Sequence, residues 1–176
     1  TAWDLSTAVF NQRLSLVGTD GLMNYHKFAL NPDGDKLIIS TSSQVQQFDL
    51  ETPWDISTAN LLHKKDRIVM ETLARQNGYI SRDGHHAYTV HITGDDTYKS
   101  TVFQWYIDNA WETQYMSLTG KYLDITDLQD DIDYISFVWF KDDGTKMWIS
   151  SYLNDQIWAF DIATPFDIST ATYANE

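Results

Sequence analysis

No cysteine occurs in the 176 residues, so disulfides, thiolate nucleophiles and cysteine-ligated zinc are excluded together. The compartment stays open, because secreted and cytosolic proteins alike can do without cysteine. Positive charge is scarce: 12 Lys and Arg against 25 Asp and Glu leave a net charge of −13. The densest basic stretch, His63-Lys64-Lys65-Asp66-Arg67, is short and carries its own acid. A surface of that sign repels a phosphate backbone and an anionic bilayer, so neither nucleic acid nor membrane is an expected partner. No window approaches 18 consecutive apolar residues, which argues against a spanning segment. Helical patterns of 10–15 residues alternating with strands are also missing, which argues against βαβ units. Only 3 Pro and 8 Gly are present, and several fall in repeated turns. Thr1 stands where a Met would begin a chain, so the expectation is a mature product or a piece of something longer.

Aromatic residues are abundant, at 14%, with 7 Trp, 10 Tyr and 8 Phe. Flat rings pack well on pleated sheet, which favours strands. The stretch Glu51-Thr-Pro-Trp-Asp-Ile-Ser-Thr-Ala59 recurs as Thr1-Ala-Trp-Asp-Leu-Ser-Thr-Ala8 and as Ala163-Thr-Pro-Phe-Asp-Ile-Ser-Thr-Ala171. A worn copy, Asn109-Ala-Trp-Glu-Thr-Gln114, lies between them. Their aromatic anchors Trp3, Trp54, Trp111 and Phe166 are spaced 51, 57 and 55 residues apart. A period of that size marks stacked supersecondary units. Recurrence in every copy also points to packing between units rather than ligand stacking.

A second register runs through Asp33-Gly34, Asp83-Gly84 and Asp143-Gly144. Each pair follows an apolar strand end and precedes another strand, where a hairpin needs a residue comfortable at positive φ. The turn accounts for these aspartates without a calcium role. Each unit thus reads as four antiparallel strands: A, the Asp-Gly turn, B, a loop, C, the Trp-Asp-Ile-Ser-Thr-Ala turn, then D. The predicted fold is all-β, a propeller with three four-stranded blades per chain. Blades are predicted over about 17–65, 66–123 and 124–176, with 1–16 as a closing strand. A short helical turn is predicted within Asp66–Gly78, which has helix formers and a terminal Gly.

The runs "NPDGDKLIIS…VQQFDLETPWDISTA" and "FKDDGTKMWIS…QIWAFDIATPFDISTA" resemble β-propeller repeats of phage and environmental bacterial proteins. Their Asp-Gly half is similar to repeats of lactonase-type and TolB-type propellers. The resemblance implies fold rather than activity, because propellers carry many unrelated functions. It also implies a surface-exposed or virion-associated role, with extracellular or virion localisation and glycan recognition as the leading chemistry. The middle copy departs from the pattern: His86 replaces Lys36 and Lys146, and Tyr106 replaces Asp49 and Asp161.

Three blades cannot form a wheel and would leave two raw sheet edges. Two resolutions are open. In a head-to-tail homodimer, each N-terminal strand completes the partner's last blade and gives six blades with twofold symmetry. Otherwise the chain belongs to a longer propeller. The offset of the motif copies favours the dimer.

Repeats can differ in their loops without disturbing the core. From the turn glycine to the first apolar residue of strand C the counts are 11, 18 and 13, so the middle blade carries an insertion at Thr93–Ser100. Ligand-binding candidates on that face are Asp95, Asp96 and Tyr98, with Tyr152, Asn154 and Asp155 from the last blade. Polar groups there would fix hydroxyls, and tyrosines would stack on sugar rings. Trp105 and Trp148 are expected in the core, while Trp139 and Trp158 are expected to be partly exposed. Asp127, Asp130, Asp131 and Asp133 read as a solvated loop, lacking the spacing of an EF-hand. His85-His86 are expected to be solvated in a turn. No zincin pair, nucleophile elbow or phosphate loop is present, so no catalytic residue, metal or cofactor is assigned. The expectation is a non-catalytic, lectin-like propeller. The alternatives are a lactonase-like or glycosidase-like hydrolase, or a scaffold for assembly.

Overall fold

The computed structural model describes residues 9–14, 27–40, 44–66, 78–92, 100–125, 135–151 and 155–174. The described residues form three four-stranded antiparallel sheets, each in simple sequence order. The first holds β1 (Lys27–Leu30), β2 (Lys36–Ser40), β3 (Gln44–Leu50) and β4 (Ala59–Asp66). The second holds β5 (Gly78–Ile80), β6 (His86–Ile92), β7 (Ser100–Ile107) and β8 (Met116–Asp124). The third holds β9 (Ile135–Phe140), β10 (Lys146–Ser151), β11 (Ile157–Ile162) and β12 (Ala171–Tyr173). The first strands of the sheets converge: Tyr79 of β5 stacks on Phe140 of β9, and Lys27 of β1 lies over the Phe137 ring of β9. The architecture is a partial β-propeller.

Two recurrent turns meet at one end of every blade. In the first, Asn31–Lys36 closes the hairpin with Gly34 at φ +74°, while the Gly34 amide donates to the Asn31 carbonyl. In the second, Asp55 caps a 3-10 turn over Ile56–Thr58: its Oδ1 accepts from the backbone and hydroxyl of Ser57. Thr58 Oγ1 then donates to the Asp55 carbonyl and accepts from Thr52 N. Asp167, Ser169, Thr170 and Thr164 repeat these bonds in the third blade. The motif is therefore a self-bonded cap in which Asp, Ser and Thr each hold a backbone group. Glu112 makes no such cap, which is what the worn middle copy has lost.

The aromatic anchor clasps the two turns together. Trp54, Trp111 and Phe166 all sit at positive φ, and their amides donate to the carbonyls of Gly34, Gly84 and Gly144. Each ring lies where a glycine Cβ would be. The expected packing between blades is thus only part of their role. Phe166 also stacks on His86 of the second blade, and Trp111 is buried between the first two, whereas Trp54 stays exposed.

Blades are joined by apolar faces and by one recurrent polar latch. Ile38 and Val45 of the first blade pack on Ala87, Trp105 and Ile107 of the second. Tyr88, Val90 and Val102 pack in turn on Phe140, Met147 and Phe160 of the third. Within these faces the buried Gln47 accepts from Thr113 N at 2.8 Å, and Gln104 from Ile168 N at 3.1 Å. Each amide oxygen satisfies the first N–H of the next blade's 3-10 turn, a donor that would otherwise be buried unpaired. Lys121 of β8 adds an ion pair to Asp167 at 2.6 Å.

Some sequence expectations change. No strand forms over 9–14, within the stretch expected to be the closing strand; residues 67–77, where the helical turn was expected, lie outside the described residues. Trp158 is 5% exposed rather than surface-facing, because the equivalent Gln46 is itself turned into the core. Trp148 is only half-buried; it packs on Trp139 on the face of the third blade that no other blade covers among the described residues. His85 and His86 are half-buried rather than free in solvent: His85 Nδ1 lies 2.8 Å from the Ile107 carbonyl, and His86 stacks on Phe166 and meets Tyr106 edge-on. The cross-strand ion pairs Lys36–Asp49 and Lys146–Asp161 become a His86–Tyr106 ring contact in the middle blade, as the sequence substitutions imply.

Two glycines separate conformational strain from the clasp. Gly120 holds φ +79° with nothing near its absent Cβ, whereas a Cβ on Gly84 would meet Trp111 at 2.1 Å at a similar φ. Gly120→Ala is expected to cost about 1–2 kcal/mol, and Gly84→Ala about 1–3 kcal/mol more. Urea denaturation measures both, and equal costs would remove the clasp.

Candidate functional site

The inner strands line an open cleft of about 260 Å³. Its walls are apolar and come from all three blades: Phe28 and Ala29 on β1, Tyr79 and Ile80 on β5, Phe137 and Trp139 on β9. Lys27 is the one charged residue among those lining it. The cross-strand partners of Lys27 and Gly78 are Ser40 and Thr89, which add hydroxyls to the same wall. These residues sit away from the Asp-Gly turns, toward the end where strands B and C are joined. That is the end at which the sequence places ligand contacts.

Among the described residues Lys27 is held by a ring rather than by a carboxylate. Its Nζ lies 3.9 Å from the centroid of the Phe137 ring, a cation–π contact. Burial pushes its pKa below the ordinary lysine value, since low-polarity surroundings disfavour the charged form. The neighbouring tyrosines are not acids near neutrality. Burial, reinforced by Asp142 and Asp83, pushes Tyr79 up to about 12, and its hydroxyl donates to the Phe140 carbonyl. Burial also raises Tyr88, with Tyr79, Asp83 and Asp167 adding to it, and its hydroxyl donates to the Phe166 carbonyl at 2.7 Å. Both hydroxyls brace adjoining blades. His86 is pushed below its ordinary value mainly by burial, with Asp83 opposing and His85 and Lys121 assisting. No group of three or more His, Asp or Glu side chains suited to a metal occurs among the described residues.

Of the sequence candidates, Asp95, Asp96, Tyr98, Tyr152 and Asn154 lie outside the described residues, as does the Asp127–Asp133 run. Asp155 is exposed at φ +51°, leading into β11. Sequence reasoning missed Lys27 and the cavity because their parts come from three strands about 50 residues apart. The signal was present in one place only: a lysine heading an inner strand where the other copies carry Asn77 and Phe137.

This arrangement of blades around a converging set of inner strands defines a propeller segment. Among solved structures it is similar to a candidate 6-phosphogluconolactonase from Bacteroides fragilis, with a TM-score of 0.56 at 12% identity over 84% of this chain and 36% of that one. It is likewise similar to PpgL, the periplasmic gluconolactonase of Pseudomonas aeruginosa, with a TM-score of 0.57 at 12% identity over 85% of this chain and 38% of that one. The chain therefore spans less than two fifths of the length of either neighbour. No family model matches the sequence, and no curated protein matches it. The lactonase half of the sequence resemblance agrees with the neighbours. The expectation of a non-catalytic, glycan-binding propeller is corrected by them: both are named as lactonases, which favours the hydrolase alternative.

Lys27 offers a stability test. At neutral pH the folded chain carries an ammonium that its surroundings disfavour, so deleting the charge while keeping the stem should help the fold. Lys27→Met is expected to raise Tm by about 2 °C. A fall of similar size in a thermal melt would mean that the ammonium is structural.

Proposed function

We propose that this chain forms part of a lactonase-type hydrolase acting where the inner strands converge. The observation that carries this reading is a single ammonium, Lys27, set in a mainly apolar cavity wall. The likeness of the fold to propellers named as lactonases supports it. A lactone is a neutral cyclic ester, so its ring suits apolar walls such as Phe28, Phe137 and Trp139, and its carbonyl oxygen suits a cation.

Hydrolysis adds water to the carbonyl carbon and breaks the bond to the ring oxygen. That oxygen leaves as a hydroxyl on the same molecule, and the new carboxyl releases a proton. Negative charge builds on the carbonyl oxygen along the way. A preplaced cation in water-poor surroundings stabilises that charge more strongly than bulk water does. In this reading Lys27 holds the oxyanion, and Ser40 and Thr89 orient the substrate's hydroxyl groups. Because the chain covers 36% and 38% of its neighbours' lengths, the complete site takes blades beyond these three.

Proton release from glucono-δ-lactone and from its 6-phosphate, corrected for spontaneous opening, tests the reading. The chain is expected to accelerate at least one of them. Lys27→Met should lower that rate by about a hundredfold, in line with loss of one oxyanion donor, and Lys27→Arg should keep part of it. No rate above the spontaneous one, or a Lys27→Met variant as fast as the parent, would overturn it.

A further inference from the structure

The contact rule between blades breaks at both ends of the chain, and the two breaks are complementary. Ile38 and Val45 of the first blade, and Tyr88 and Val102 of the second, are no more than 5% exposed because the next blade covers them. Their third-blade equivalents are Trp148 and Ile157. Ile157 is 72% exposed, and Trp139, stacked beside Trp148, is 44% exposed. The latch residue changes at the same place: where the first two blades carry Gln47 and Gln104, the third carries Ala159.

The other end shows the reverse. Among the described residues the first blade's 3-10 turn has no blade before it, yet Ile56 N donates at 3.0 Å to Gln12 Oε1, and Leu14 packs on the face of Leu37 and Phe48. The segment 9–14 thus supplies the amide that a preceding blade would supply. Aligning the turn motifs through Ala8, Ala59 and Ala171 sets Gln12 level with His63, and His63 is the residue paired across from Gln47. In the third blade, the residue across from Ala159 would occupy that same rung. Among the described residues β12 pairs only with Phe160, Asp161 and Ile162, with one further bond from Ala174 N to the Ala159 carbonyl.

We propose that the blade preceding β1–β4 is the third blade of a second copy of this chain. Residues 12–14 fill the fourth-strand rungs facing Ile157–Ala159 of that copy, and Gln12 delivers the acceptor that Ala159 lacks. The occupant follows from the latch: a preceding blade with glutamine at this position would aim two amide oxygens at one N–H, whereas alanine leaves room. The contact continues the geometry already present at the two junctions within the chain. Made twice, head to tail, it closes six blades around one axis and covers both raw faces. The inference concerns assembly and holds whatever reaction the channel carries.

Sedimentation velocity over a range of concentrations tests it, with chains of 20.3 kDa expected to pair. Since both copies carry a charge of −13, added salt should tighten the pair by screening repulsion. Ala159→Gln and Gln12→Ala are each expected to weaken pairing about tenfold, the first by crowding the latch and the second by emptying it. The double variant, which moves the amide from one side of the junction to the other, should return to within about threefold of the parent. Ile157→Asp, exposed in the lone chain and so harmless to its fold, should abolish pairing with an unchanged circular dichroism spectrum. A monomer at every concentration, an open-ended series of larger species, or single and double variants that pair alike would each overturn the proposal.

Discussion

A propeller blade has two apolar faces, and neither can be left to water. This constraint explains most of what the chain does. Alternation along each strand sends Leu37 and Phe48 one way and Ile38 and Val45 the other, so a blade is stable only as the filling between two neighbours. Burying those faces also buries the start of each 3-10 turn, whose first amide has no partner within the turn. A glutamine on the preceding blade is long enough to reach it. The polar latch is therefore a consequence of the apolar packing: without Gln47 and Gln104, the closer the blades pack, the more costly the stranded N–H becomes.

The repeat made the fold legible because its punctuation is chemical. Asp-Gly turns and the Thr-Pro-aromatic-Asp-Ile-Ser-Thr-Ala cap are defined by backbone demands that few other residues meet, and each demand appears as a positive φ or a satisfied donor. What stayed hidden were relations between copies. A glutamine on a strand reads as a solvent-facing residue, so neither Gln47 nor Gln104 stood out, and Gln46 misled the placement of Trp158. His85-His86 read as a wet turn because the rings that cover them, Tyr106 and Phe166, come from elsewhere in the chain. The cavity was invisible for the same reason. Lys27 becomes meaningful only once Phe137, more than a hundred residues later, is seen beneath it.

The two ends of each blade divide the labour. At one end the Asp-Gly turn, the caps and the aromatic clasp form dense local networks of nearly the same design in the first and third copies. At the other end the joins of strands B and C differ between blades, the count from the turn glycine to the first apolar residue of strand C varying from 11 to 18. A fold that fixes its strands from one end can vary the other without losing register, which is where a site can differ between structures of similar fold that share only 12% of their residues.

Lys27 sits at the variable end, and its surroundings work against it. Burial disfavours its charge, and the nearest compensation is an aromatic face rather than a carboxylate. A structural lysine would be better served by a partner such as the ones Lys36 and Lys146 have in Asp49 and Asp161. An ammonium with no carboxylate partner among the described residues, in a mainly apolar wall, is poorly placed for stability. Its position on an innermost strand also ties it to closure. A ring of inner strands closes only around further blades, so whatever completes it also determines how dry, and how strong, the electrostatics at Lys27 become.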